Sequence, residues 1–547
     1  MRKRILWMLP AGAAAVILAA VGLADSSSDY MSVAANQRAA GYAPANVVST
    51  QLREVPVAHG SIALDGATGI VGWYGYEKDT PSPTNAAFPQ MVPATLAAPA
   101  EAQKTEPDKN TYLVLKNQHG PDSGYDYGTH FLFQGHEAGA TVAGAKQGLI
   151  TRINLDADDE HRVTLLATKD DAGKSIATID GSTWDPFAKR LLLTTENASA
   201  PTYSATADYP STVHDVSGAL GRGGYEGIQN DGDGNIWIVE DIGGANKPGT
   251  TAKIPNSFVY RYVPRRPGDL ANGKLQVLQV WNAGHPVTVE TQTAVNAPDQ
   301  VALRTYGMSF ETKWVTIHDT ASDGTTPFNA NTLAKAAHGT PFKRPENGLF
   351  RPGSHFTEFF FDETGDTNAT SVENGTAGGW TSVFKLTQSD PSADSGRLSL
   401  FFQSKSAAVA GLDNVAFLTK NLITFVEDAG DTLHGQRNAL DSGWLFDVTK
   451  DYSQGAMPVR WLAEGRDASA TLDAANGGFG KNDGDNEITG TTVSDGDPGV
   501  GGILGAKSPH FGDGHGQWRF FWTQQHGDNV TWEVVPASNH DDENGDD

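Results

Sequence analysis

The chain has 547 residues, with 65 acidic side chains against 40 basic, 61 glycines and no cysteine. Its formal net charge of −25 excludes nucleic acid and anionic membrane surfaces as partners, because like charges repel. A hydrophobic share of 38% with 12 tryptophans excludes wholesale disorder, and the glycine load favours turn-rich β structure over helical bundles.

In chain order, the first feature is a targeting segment. Arg2, Lys3 and Arg4 precede an apolar run over 5–23, and Gly22 and Ala24 supply a small-x-small cleavage pattern. We expect cleavage after Ala24 and export to the periplasm or beyond. An uncleaved anchor is the alternative, and only that would tie the protein to a membrane. Lys3 separates the two arginines, so a strict twin-arginine signal is absent. An exported chain without cysteine is not stapled by disulfides.

Residues 25–109 read as a lead-in and loop that join the fold only in part, with the stretch 78–108 rich in Pro, Ala and Thr. Residues 110–535 form the main domain, and 536–547 are an acidic tail. Within the main domain no 3.6-residue periodicity is sustained. Short β-branched and aromatic runs bounded by Gly, Asp and Asn recur instead.

The recurrence is a strand, a carboxylate-tipped loop and a second strand. Run 131–134 leads to Glu137 and then to 149–155. Run 236–239 leads to Glu240 and Asp241, then 257–263; run 358–361 leads to Asp362 and Glu363, then 381–387. Run 422–426 leads to Glu427 and Asp428, then 443–448. Two runs show the first half alone: 191–195 with Glu196, and 518–523 with His526 and Asp528. Polar markers precede several of them: Asp180-Gly181, Glu226-Gly227, Glu346 and Asp413-Asn414. The spacing suits four-stranded blades, so the expected fold is all-β, a β-propeller of six blades. A solenoid and two stacked sandwiches stay open.

A propeller gathers one end of every inner strand at its axis. Carboxylates at equivalent positions would converge there, and they need cations or raised pKa values. Hard oxygen donors favour Ca²⁺, Mg²⁺, Mn²⁺ or ferric iron, and no zinc spacing is present. Loops 230–235 and 482–487 resemble calcium loops without EF-hand spacing, and an ordinary turn explains each equally well.

Seven stretches, in order from about residue 110 to 535, resemble the PhoX family of exported alkaline phosphatases. They are FLFQGHE at 131–137, LLLTTEN at 191–197, the segment 221–241, HGTPFKRPE at 338–346, the pair 412–417 and 422–428, the segment 487–490, and 520–528. The resemblance implies a propeller with iron and calcium at its axis that hydrolyses phosphomonoesters. It implies metal ligands at Glu137, Asp180, Glu196, Glu226, Asp241, Glu346, Glu427, Asp428 and Glu487. Arg344 and Glu346 would be the catalytic pair, with Arg344 holding the phosphate by its planar fork. Read as a strand, Arg344 and Glu346 face one side, with Pro345 opposite.

The chain departs from that pattern. The family's bridging cysteine is absent, and Asp180 or Ser182 stands near its position. Calcium is therefore the expected ion, with the iron pair in question. Val239–Asp241 replaces a Gly-Asp-Asp loop, Asn197 a second Glu, and Tyr225 a His before Glu226. The expected function is a metal-dependent phosphatase acting on a small phosphorylated substrate as a monomer. A non-catalytic calcium-binding propeller is the alternative, and a propeller lactonase or phytase the third reading.

Overall fold

The computed structural model describes residues 26–37, 45–68, 70–76, 104–139, 141–465, 487–494, 519–525 and 529–537. The expected leader, most of the 78–108 loop, most of the acidic tail, His526, Asp528 and residues 482–486 lie outside these.

The second strand of every blade is an unbroken buried run, as for a strand covered on both faces. In Leu422–Glu427 all six residues are buried, and Phe131, Leu132 and Phe133 are fully so. Each such run pairs antiparallel with the strand before it and the strand after it, which makes four-stranded sheets.

Six blades result. The first is Pro107–Val114, His130–His136, Ile150–Asn154 and Val163–Ala167; the second is Ser182–Asp185, Arg190–Leu193, Tyr203–Ala205 and Val213–Asp215. The third is Tyr225–Asn230, Ile236–Glu240, Val259–Pro264 and Gly273–Asn282; the fourth is Gly348–Phe350, Glu358–Glu363, Ser382–Gln388 and Ser395–Gln403. The fifth is Leu412–Phe417, Leu422–Glu427, Ser442–Asp447 and Val459–Ala463, widened by Val47–Val48. The sixth is Glu487–Val493, Phe520–Gln525 and Thr531–Pro536, completed by Leu52–Ala58 from the N-terminal side.

The first strands of consecutive blades touch one another in a closed ring, the sixth returning to the first. The fold is therefore a six-bladed propeller, closed by a strand from each end of the described chain. Leu52–Ala58 and Val47–Val48 of the lead-in join blades, and the first blade starts at Pro107.

A further strand lies outside the repeat that the sequence shows. Ser309–Asp319 pairs with the outer strands of the third and fourth blades and fuses them into one sheet. Its buried positions Phe310, Thr312 and Trp314 alternate with exposed ones, the period-2 signature of a half-buried strand. Beside it Trp237 sits 5.0 Å from the rings of Trp314, Phe350 and Phe359, a wedge that locks the two blades together.

Candidate metal centre

The start of each first strand and the end of each second strand lie at the same end of the axis, because the strands are antiparallel. Six acids mark the first-strand starts: Asp108, Asp180, Glu226, Glu346, Asp413 and Glu487. Glu137, Glu196, Asp241, Asp362 and Asp428 mark the second-strand ends of the first five blades.

Close packing of the strands brings these acids together. A Cβ on Gly181 would lie 1.9 Å from the carbonyl of Glu226, so only glycine lets blades two and three approach there. Gly227 plays the same part against Glu346 and Asn347, and its N–H donates to the Glu346 carbonyl at 2.8 Å.

Two groups form. Glu196, Glu226, Asp241 and Glu346 each offer an oxygen, and those oxygens lie within 4.8 Å of one another. Asp108, Glu137 and Asp180 form a second group by the same measure. Asp362, Asp413, Asp428 and Glu487 act electrostatically on members of these groups or on one another.

The pKa directions follow from crowding in a buried place. Burial, then neighbouring carboxylates, hold Asp180, Glu226 and Asp362 well above the ordinary carboxylate range. Glu346 is pushed up to about 8 by burial, with Asp241 adding to the rise and Arg344 opposing it. Asp413 rises to about 6 and Asp428 to about 7, again chiefly through burial.

The donor set fits hard cations. Glu226 Oε2 and Asp362 Oδ2 are buried with no hydrogen-bond partner among the described residues. A buried carboxylate oxygen without a donor is costly unless a cation meets it. The remaining oxygens are aimed by short polar contacts. Asn347 Nδ2 donates to Glu226 Oε1 at 2.7 Å and to Asp413 Oδ1 at 3.2 Å. Thr364 donates to Glu346 Oε1 at 2.6 Å, and Thr489 donates to Asp108.

Arg344 lies across the first group. Its Nε and a terminal nitrogen bind Asp241 at 2.8 and 2.7 Å, and the same terminal nitrogen reaches Glu346 at 3.0 Å. Burial disfavours its charge, but Asp241 and Glu346 outweigh that and hold it ionised. Arg344 and Glu346 do not face one side of a strand, contrary to the expectation from sequence. Arg344 sits outside any strand with φ 54°, and the first strand of the fourth blade begins only at Gly348. Its kink is held by Thr364 N–H donating to its carbonyl at 2.9 Å and Gly365 N–H to that of Lys343 at 3.2 Å.

A buried charge network underlies the kink. Lys343 Nζ donates to Asp366 at 2.9 Å and Glu373 at 2.6 Å, and Lys247 reaches the same Glu373. Arg304 pairs with Glu363, whose Oε1 also accepts from Lys343 N–H at 2.8 Å. Such fully buried pairs are costly to break, about 3–5 kcal/mol when one partner is lost.

The structure brings Glu137, Asp180, Glu196, Glu226, Asp241 and Glu346 into the two groups and sets Asp428 and Glu487 beside them. Glu427 stands apart. Its oxygens accept from Ala410 N–H at 3.0 Å, Trp444 Nε1 at 2.9 Å and Arg437 at 2.9 Å. The cause is strand alternation: consecutive acids at the strand end point opposite ways. Glu240 likewise turns to Phe258 and Tyr260, and Glu363 to Arg304, while Asp241 and Asp362 face the axis.

Sequence reasoning did not assign Asp108, Asp362 or Asp413 as ligands. The missing signal for Asp108 was its strand, which starts at Pro107 inside the presumed loop. In loop 230–235 Asp231 accepts from Asp233, Asn235 and Trp237 donors at 2.8–3.0 Å, the bonding of a turn. Ser182 donates to the Lys109 carbonyl at 3.0 Å, while Asp180 is the one of that pair facing Asp108 and Glu137.

Neither a family model nor a curated protein matches this chain. Among solved structures, it is similar to Pseudomonas fluorescens PhoX in complex with vanadate, a transition state analogue. The identity is 11%, the match covers 93% of this chain and 98% of that one, and the TM-score is 0.53. Sqt1 of Chaetomium thermophilum, bound to the N-terminus of ribosomal protein L10, overlaps with 12% identity, 79% and 100% coverage and a TM-score of 0.29. The periplasmic gluconolactonase PpgL of Pseudomonas aeruginosa overlaps with 12% identity, 74% and 96% coverage and a TM-score of 0.27. The first likeness is one of fold; the other two are too slight to bear on the argument.

Proposed function

We propose that this protein is an exported, metal-dependent hydrolase of phosphomonoesters, with calcium as its principal ion and a small phosphorylated molecule as substrate. One observation carries the reading: a guanidinium lies at the mouth across a group of four carboxylates, in a chain whose net charge is −25. A phosphate can approach so acidic a protein only where bound cations reverse the local field.

Glu196, Glu226, Asp241 and Glu346 would hold one ion, and Asp108, Glu137 and Asp180 another. Bound divalent ions supply Lewis acidity toward the phosphoryl oxygens and lower the pKa of a water. Arg344 offers a planar fork to the charge that develops on the phosphoryl oxygens. Asn347 and Thr364 fix the carboxylates, and the buried pairs under Lys343 fix the backbone of Arg344. The site therefore needs little reorganisation.

A second reading has one observation in its favour. Arg344 already commits Nε and one terminal nitrogen to Asp241 and Glu346, as it would in a non-catalytic calcium-binding propeller whose arginine is structural. A fluorogenic phosphomonoester assay at alkaline pH, with Ca²⁺ added to the chelator-stripped protein, separates the two. Hydrolysis that returns with Ca²⁺ is the expected result. Absence of hydrolysis with Ca²⁺, Mn²⁺ and iron alike supports the binding module.

A further inference from the structure

We propose that the ammonium of Lys109 is a built-in cation, filling a monovalent-ion position at the floor of the axial cluster. Lys109 follows Asp108 on the first strand of the first blade and is 4% exposed. Its Nζ reaches oxygens of two other blades: Asn414 Oδ1 at 3.1 Å, Val415 O at 3.3 Å and Thr491 O at 3.1 Å. An ammonium carries three hydrogens and no lone pair, so three acceptors fit the charged form and leave a neutral amine one donor short.

The cage is specific in its chemistry. All three oxygens are neutral, and two are backbone carbonyls. Asn414 is oriented for the task, since its Nδ2 donates to Asp413 at 3.1 Å and to Thr489 at 3.0 Å, which leaves Oδ1 for Lys109. Neutral carbonyl oxygens are what replace the hydration shell of an alkali ion. Divalent ions, in contrast, go to the carboxylates.

Lys109 also marks a boundary. Burial lowers its pKa from the ordinary lysine value, and the charges that oppose this are those of Asp413, Asp108, Glu226 and Asp362, all at the mouth end of the axis. Further along the first strands lies a cavity of about 40 Å³, lined by Lys109 itself, by neutral polar groups including Thr111, Ser182 and Gln229, and by apolar ones including Leu349 and Phe417. Among the described residues no carboxylate lines that cavity. The tethered ammonium thus closes the axis beneath the cluster and confines exchangeable ions to the mouth side. This inference concerns the cation cluster and stands whether or not the site hydrolyses phosphate.

Two variants test it. Lys109→Ala removes the amine and its stem and leaves the three oxygens beside the cavity. K⁺ should raise its melting temperature by about 2 °C or more over the same concentration of N-methylglucamine, and leave the wild type unmoved. Lys109→Met keeps the stem and removes the charge. Its affinity for Ca²⁺, measured by calorimetric titration of chelator-stripped protein, should rise on the order of tenfold, because a repelling cation is gone. A folded Lys109→Ala that melts identically in K⁺ and N-methylglucamine overturns the proposal. So does a Lys109→Met whose Ca²⁺ affinity is unchanged or reduced, and this arm decides alone should Lys109→Ala not fold.

Discussion

Arg344 is held by two demands, one on its backbone and one on its side chain. The left-handed kink at φ 54° is held by Thr364 N–H on its carbonyl and Gly365 N–H on that of Lys343, and one edge of the guanidinium, Nε with a terminal nitrogen, is held by Asp241 and Glu346. If the phosphatase reading is right, Arg344→Ala should lower phosphomonoesterase activity about 10²–10³-fold, the scale for losing one preorganised donor. Arg344→Lys should recover little, since a point charge cannot reproduce a planar fork. Unchanged activity in Arg344→Ala would remove this residue from the chemistry. The Arg344-Pro345-Glu346 motif was legible in the sequence because its members are adjacent. Asp241 as the partner of Arg344 was not, being 103 residues away. Glu427 and Asp428 show a different limit. The sequence reveals two acids at a strand end, but which one faces the axis depends on the register of that strand.

At the scale of the element, the second strands were readable because they are buried on both faces and appear as apolar runs. The first strands were harder. Their character is set by the axis they line rather than by an apolar run: Ser182–Asp185 is short and largely polar, and Gly348–Phe350 has only 3 residues. The Asp-Gly and Glu-Gly markers were their visible trace, and Gly181 explains why. Gly181→Ala places a Cβ 1.9 Å from the Glu226 carbonyl and should cost about 1–3 kcal/mol through overpacking. A melting temperature equal to wild type would show that the two blades can separate there. The closing strand Leu52–Ala58 carries a titrating group. Half-buried Glu54 accepts from Trp522 Nε1 at 3.0 Å and Asn46 Nδ2 at 3.2 Å. Burial outweighs those bonds and pushes its pKa up to about 7, from an ordinary 4.5. The folded state therefore holds the proton more tightly. This contribution is complete below the unfolded value near 4.5 and is lost as pH rises through about 7. Glu54→Gln should gain melting temperature relative to wild type between about pH 5 and pH 8. A gap that stays constant over that range would show that Glu54 does not titrate with folding.

At the scale of the whole molecule, six blades bring to one end of the axis acids that lie hundreds of positions apart in the chain. The count of blades was accessible from the repeat. The closure was not, because it depends on Leu52–Ala58 joining the sixth blade from the far end of the chain. The axial cluster holds Asp108, Glu137, Asp180, Glu196, Glu226, Asp241, Glu346, Asp362, Asp413, Asp428 and Glu487, with Arg344 and Lys109 as the cations among them. So unequal a balance in a buried place calls for bound cations. Ligands that bind only the folded state stabilise it, so chelation should lower the melting temperature. The most direct measurement is elemental analysis of the purified protein, counting divalent and trivalent ions per chain before and after exhaustive chelation. The two carboxylate groups predict at least two tightly held ions, calcium foremost, with a fall in melting temperature as they leave. Fewer than one ion per chain, with a melting temperature indifferent to chelator, would contradict the account.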